Sequence, residues 1–108
     1  MHNSKYQSVI QALDACAAEC NHCATACLDE DDVKMMKRCI MLDMDCAAIC
    51  KVTAAALSRG SEMAGPLLQA CATICEACAQ ECGKHEHEHC KACAEACRRC
   101  AEACRSAA

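Results

Sequence analysis

Residues 71–82 read CATICEACAQEC, which places Cys71, Cys75, Cys78 and Cys82 at steps of four, three and four residues. A helix turns by about 100° per residue, so these steps bring each side chain back to nearly the same angle. The four thiols therefore fall within an arc of about 60° on one face of a predicted helix. In an ordinary core helix that face would carry aliphatic side chains, whereas here it carries sulfur.

Thiols at the same spacing recur in three further segments of the chain. Their positions are Cys16, Cys20, Cys23 and Cys27; Cys39, Cys46 and Cys50; and Cys90, Cys93, Cys97, Cys100 and Cys104. In the second of these segments, Asp43 occupies the stripe position that a cysteine would complete. Each segment thus predicts a helix with one thiol-bearing face.

Cap and turn signals place the four predicted helices at about residues 4–28, 30–58, 63–82 and 86–105. Asn3 or Ser4 is the expected N-cap of the first helix, and Asp29 that of the second. Gly83 is expected just after the end of the third. Because the connections are short, neighbouring helices should be antiparallel. We therefore expect one all-α domain over residues 1–108, an antiparallel up-down-up-down four-helix bundle with a Cys-lined core.

The sixteen cysteines in 108 residues could instead indicate a secreted, disulfide-linked scaffold. Side chains four residues apart on a helix point the same way, however, and do not join in a disulfide without distortion. The N-terminal stretch lacks the apolar run of a signal peptide, and no segment is as long as a membrane span. We therefore expect a cytoplasmic protein with reduced cysteines and no membrane partner. The net charge of −4 argues against a nucleic-acid partner.

A core lined with thiols favours a soft metal ion, because thiolates select Cu(I), zinc or iron–sulfur clusters. Structural zinc uses a few closed tetrahedral sites, and iron–sulfur clusters favour cysteines carried on loops. Cu(I) needs no loop, since an i, i+4 pair can bind one ion from a single helix. The pattern therefore predicts that all sixteen cysteines bind multiple Cu(I) ions and release protons as they do so.

Three other interpretations remain open at this point: storage of zinc, storage of another soft metal, and a thiol redox reservoir. The sequence has no CxxC motif at a strand–helix junction, no catalytic Cys–His–Asn pattern and no cofactor motif. We therefore expect that the protein is not an enzyme.

The two ends of the predicted bundle differ in chemistry. The end formed by residues 28–36 and 83–89, here called the mouth, carries candidate ligands beyond the stripes: Met35, Met36, His85 and His89. By helical angle, Met35 and Met36 would flank the second stripe by about 50° each. His87 belongs either to a solvated turn or to the ligands, and Asp43 either hydrogen-bonds within the bundle, for example to His89, or joins the metal path.

The opposite end, here called the closed end, carries aliphatic side chains that offer no ligand: Val9, Leu13, Leu57, Leu67 and Leu68. We therefore expect copper to pass through the mouth.

The stripes at residues 16–27, 71–82 and 90–104, the interrupted stripe at 39–50 and the segment ECGKHEHEHC together resemble the cytosolic copper storage proteins. The resemblance covers the whole chain. It implies a four-helix bundle that stores many Cu(I) ions rather than a catalyst, and it implies a homotetramer. Exported relatives carry a secretion signal, so the start of this chain resembles the cytosolic branch.

Overall fold

The structure is a computed structural model that describes residues 6–108. It contains four α-helices, α1 (Gln7–Leu28), α2 (Lys37–Arg59), α3 (Ala64–Cys82) and α4 (Glu88–Ala107), and a 3₁₀ turn at Val33–Met36. Both α1 and α3 pack against α2 and α4, so that α1 faces α3, and α2 faces α4, across the bundle diagonals. The bundle measures 45 × 20 × 18 Å. The predicted all-α four-helix bundle is confirmed.

The helix boundaries differ from the expected ones mainly at the mouth. Helix α2 begins at Lys37 rather than near residue 30, because residues 29–36 form a turn and the 3₁₀ segment. Asp29 does not cap α2; its N–H instead donates to the carbonyl of Ala26, and the N–H of Glu30 donates to that of Cys27, which ends α1. The expected caps at Asn3 and Ser4 lie outside the described residues.

Two glycines end helices for different physical reasons. Gly60 adopts φ +70° after α2, a left-handed conformation that glycine adopts without steric cost. Gly83 keeps helical angles, with φ −65°, but a Cβ there would lie 3.1 Å from the carbonyl oxygen of Ala79. Glycine therefore suits position 83 because the Ala79 carbonyl lies close to it, and not because of its backbone angle.

The core consists of the thiol stripes, and all sixteen cysteines have 0% exposure. Buried alanines beside the stripes, such as Ala17, Ala47, Ala72 and Ala94, lie between the helices, where a small side chain lets two helices approach closely. Charged side chains occupy the outer faces. Within residues 6–108, the helices are too short or too polar to cross a membrane.

Candidate metal centre

The thiol stripes of α2 and α3 face each other in a constant register. The facing pairs are Cys39 and Cys82, Asp43 and Cys78, Cys46 and Cys75, and Cys50 and Cys71, with side-chain distances of 3.2, 3.2, 3.4 and 3.8 Å. Because the helices are antiparallel, each step forward along α2 is matched by an equal step back along α3. The core is therefore a stack of layers, each with one inward residue from every helix.

The sulfurs of this stack form a column along the bundle axis. All sixteen thiols are free, and neighbouring Sγ atoms lie between 3.2 and 3.9 Å apart. Groups of four Sγ atoms within 4.8 Å of one another include Cys16, Cys20, Cys46 and Cys97; Cys16, Cys46, Cys50 and Cys75; Cys20, Cys78, Cys93 and Cys97; Cys23, Cys27, Cys39 and Cys90; and Cys50, Cys71, Cys75 and Cys100.

These separations suit thiolate ligation of a metal ion. A metal–thiolate bond is about 2.3 Å long, so two sulfurs of one tetrahedral site lie about 3.8 Å apart. The closely spaced pairs on one helix, such as Cys71 and Cys75 at 3.8 Å, already have this separation. An ion can therefore be accommodated with little movement of the backbone.

Burial keeps Cys27 and Cys90, two thiols near the mouth, protonated in the metal-free protein. Removal from water raises the pKa of Cys90 to about 11, and it also raises the pKa of Cys27, since a buried thiolate loses its hydration. A metal ion bound here must displace these protons.

Asp43 lies fully buried among the thiols of the second layer from the mouth. The Sγ–H groups of Cys78, Cys93 and Cys82 donate to its Oδ1 atom over 3.2, 3.2 and 3.4 Å. Asp43 therefore hydrogen-bonds within the bundle and does not contact His89 in this structure. Burial first, and then the neighbouring cysteines, raise the pKa of Asp43 to about 10, so the group is a neutral carboxylic acid at pH 7.

His89 connects the thiol column to the mouth surface. Its Nδ1 atom lies 3.5 Å from Cys23, 3.6 Å from Cys90 and 3.9 Å from Cys27. Its Nε2 atom lies 2.7 Å from Oε2 of Glu30. Because a carboxylate only accepts, Nε2 carries a proton, and in the neutral ring Nδ1 presents a lone pair to the thiols.

The other two histidines of the mouth pair with carboxylates rather than with sulfur. His85 lies 3.0 Å from Glu81, whose other oxygen accepts a 2.7 Å bond from Arg38. His87 lies 3.1 Å from Asp32 and stacks on the ring of His89 with centroids 5.3 Å apart. Only His89 among the three is within 4 Å of a thiol in the contacts described.

Burial and positive neighbours act on the pKa of Glu81 in opposite directions. Burial alone would raise it, but the hydrogen bonds from His85 and Arg38 and the charge of Lys84 together lower it. Glu81 is thus an ionised group that holds His85 and ties α2 to α3.

Sequence reasoning missed the roles of Glu30, Asp32 and Glu81. The acidic run at residues 29–32 is typical of the start of a helix, where negative charge is favourable, but these residues lie between α1 and the 3₁₀ segment. The useful signal was the pairing of an acidic turn with a histidine-rich turn at the same end of the bundle.

The two methionines of the mouth differ in position. Met36 is fully buried, whereas Met35 is 75% exposed. The prediction that both flank the stripe of α2 is wrong, because residues 33–36 form a 3₁₀ turn outside α2. At the closed end Val9, Leu13, Leu57 and Leu68 are buried, while Leu67 is only partly buried.

The fold and the sulfur column define a class, that of helical bundles whose core is built from soft ligands. Residues 2–108 match the family described as copper storage protein, and the chain belongs to that family.

Similar proteins include the uncharacterized cysteine-rich protein YhjQ of Bacillus subtilis, which is 47% identical over 70 residues. That match spans 65% of each of the two chains.

Solved structures extend the likeness to nearly the whole chain. The Cu(I)-bound copper storage protein BsCsp3 is 46% identical, with 95% of this chain and 97% of that one covered and a TM-score of 0.92. Ccsp from Streptomyces lividans, loaded with 10 copper equivalents, is 46% identical over 95% of this chain and 83% of its own, with a TM-score of 0.92.

Proposed function

We propose that this protein binds and stores many Cu(I) ions through the thiolates of its sixteen core cysteines. The observation that carries the proposal is the column of fully buried, reduced thiols whose Sγ atoms lie 3.2 to 3.9 Å apart. Such a column offers far more soft ligands than a bundle of this size needs for folding. Its function is to hold metal, not to catalyse a reaction.

The relatives support copper as the stored metal and the cytosol as the compartment. BsCsp3 is Cu(I)-bound, and Ccsp of Streptomyces lividans is a cytosolic copper storage protein loaded with several coppers. We assign the same compartment and cargo to this chain.

The sharing of sulfurs between neighbouring groups favours Cu(I) over zinc. Cys16 and Cys46 belong to at least two groups of four, and so do Cys50 and Cys75. Zinc favours separate closed sites with four ligands each, whereas bridging thiolates allow low-coordinate ions to lie in succession along the column. Storage of zinc is the alternative that a competition experiment distinguishes.

A titration of the reduced protein with Cu(I), without oxygen and against a chromophoric chelator, tests the proposal. Uptake should reach on the order of one Cu(I) per one to two cysteines. An equimolar amount of Zn(II) should not displace the bound Cu(I). Saturation at one or two ions per chain would exclude bulk storage. Preferential retention of zinc would assign the store to that metal.

Copper passes through the mouth in this proposal. His89 contacts thiols and also reaches the surface, where its side chain is 12% exposed, and Met36 is buried in the 3₁₀ turn of the mouth. At the closed end, Val9, Leu13, Leu57 and Leu68 are buried aliphatic side chains that offer no ligand. Imidazole and thioether bind Cu(I) more weakly than thiolate does, so they suit capture and release. None of the described contacts joins Met35, His85 or His87 to a thiol. These residues therefore assist capture at most.

A homotetramer is the assembly that we propose for the chain. Met41, Met44 and Val52 on the outer face of α2 are 57%, 60% and 53% exposed. Leu28, Val33 and Ile40 line an apolar groove beside Met41. Exposed apolar surface of this kind is typical of contacts between subunits. Sedimentation should give the mass of four chains, and charged substitutions at Met41 and Met44 should dissociate the assembly.

A further inference from the structure

Thr53 is a buried hydroxyl group without a hydrogen-bond partner among residues 6–108. Its exposure is 0%, and it continues the inward face of α2 one step beyond Cys50, at the place where the pattern of four and three would put another thiol. A buried hydroxyl with no partner costs free energy, because the group has lost its hydrogen bonds to water and gained none in the protein. A feature with that cost calls for an explanation in another state of the protein.

The hydroxyl of Thr53 also avoids the bond that helical hydroxyls commonly make. Thr25, Ser58 and Thr73 each donate to the carbonyl four residues earlier, over 3.2, 2.9 and 3.1 Å. No such bond to Ile49 satisfies Thr53. Its donor is thus free to serve a partner inside the bundle.

The register of the bundle identifies that partner. Across the diagonal between α2 and α4, three successive layers pair Asp43 with Cys93 at 3.2 Å, Cys46 with Cys97 at 3.9 Å, and Cys50 with Cys100 at 3.9 Å. The next inward residue is Thr53 on α2 and Cys104 on α4. Leu68, from α3, occupies the same layer by the register of the facing pairs, and it offers no polar atom.

We infer that Thr53 donates a hydrogen bond to the thiolate of Cys104 when the last layer of the column, at the closed end, holds copper. This inference rests on the proposed storage function. A hydroxyl oxygen is a hard donor and a poor ligand for Cu(I), so Thr53 acts on the sulfur and not on the ion. Its proton partly offsets the negative charge that Cys104 acquires on losing its own proton, in a layer otherwise lined by aliphatic side chains.

Thr53→Val removes the hydroxyl and keeps the side-chain shape, and Thr53→Ser keeps the hydroxyl. Each reduced protein is titrated with Cu(I) in competition with a chelator, and the metal-free forms are unfolded with urea. In Thr53→Val about one equivalent of Cu(I) should bind roughly tenfold more weakly, the range expected for a hydrogen bond to a charged acceptor. Thr53→Ser should bind like the wild type. The metal-free Thr53→Val protein should be at least as stable as the wild type, because it no longer buries an unpaired donor.

The same comparison in a Cys104→Ser background tests the pairing by a double-mutant cycle. If Thr53 acts on Cys104, Thr53→Val should have no effect on copper binding in that background. An equal loss in both backgrounds, a wild-type affinity in Thr53→Val, or a lower stability of its metal-free form would each overturn the inference. Failure of the wild type to take up many Cu(I) ions is a separate result that would remove the storage proposal, and this inference with it.

Discussion

Two carboxylates are buried within residues 6–108, and their surroundings drive their pKa values in opposite directions. Glu81 is held ionised by Arg38, Lys84 and His85, which together outweigh its burial. Asp43 faces only thiols and is fully buried, so its pKa rises to about 10. The difference follows from the presence or absence of positive partners, and it makes Asp43 a group whose charge state affects folding.

Asp43→Asn should remove a pH dependence from the stability of the metal-free protein. The carboxyl titrates near its ordinary value of 3.8 when unfolded and near 10 when folded. Between these values the folded state holds one more proton, so the free energy of unfolding falls as pH rises, by up to about 1.4 kcal/mol per unit. Asparagine mimics the protonated acid, so urea unfolding between pH 5 and pH 8 should show a shallower decline in the variant. Equal slopes would mean that Asp43 is ionised in the folded protein.

Glu30 should affect copper uptake through its hydrogen bond to His89. The 2.7 Å contact with Nε2 directs the Nδ1 lone pair at the thiols. Removing a carboxylate that orients a ligating histidine commonly changes metal affinity or activity by about tenfold or more. Glu30→Ala should slow stopped-flow loading from a Cu(I) donor about tenfold, as His89→Ala should, while the final capacity stays unchanged.

The matched control for this experiment is Glu86→Ala. Glu86 lies in the same mouth and carries the same charge, but its side chain is 94% exposed and reaches only Lys91 in the described contacts. If Glu86→Ala slows loading as much as Glu30→Ala does, the effect is one of net charge and the assignment of Glu30 is wrong.

At the scale of elements, the sequence predicted the helices better than the turns that join them. The periodicity of the thiols extends over whole helices, so it identified the inward face of each with little ambiguity. The run LDEDD at residues 28–32 is compatible both with a turn and with a helix start. Packing at the mouth favours the turn. The contact between Glu30 and His89 joins residues 59 positions apart, which no local pattern encodes.

Gly60→Ala should destabilise the protein by about 1 kcal/mol, because φ +70° is strained for any residue with a Cβ atom. The site is otherwise open, with no atom within 4 Å of an added Cβ, so the cost comes from the backbone alone. Gly60→Asn is the matched control, since asparagine adopts the left-handed region more readily than alanine does. It should cost less stability than Gly60→Ala, as measured by urea unfolding. Equal effects of the two changes would contradict the left-handed end of α2.

At the scale of the whole molecule, the bundle and its sulfur column were predictable because one set of residues encodes both. The cysteine stripes provide the inward face that each helix needs and the ligands that line the core. Asp43 and Thr53 interrupt the stripe of α2, and sequence reasoning weighed only the first, because a carboxylate on an apolar face is conspicuous and a threonine is not. The lack of a partner for Thr53 emerges only from the packed structure.

The bundle should fold without its metal. The buried cysteines pack as small apolar side chains, Leu13, Leu57 and Leu68 close one end, and the helices end in hydrogen-bonded turns that involve no ligand. Folding should therefore not depend on copper, in contrast to small zinc domains, where binding free energy is folding free energy. Circular dichroism of the reduced, metal-free protein should already show the helix content of the loaded form, and copper should raise the unfolding temperature without adding helix. A coil spectrum that becomes helical only with Cu(I) would show that the metal organises the bundle, and would imply that the protein releases its copper by unfolding.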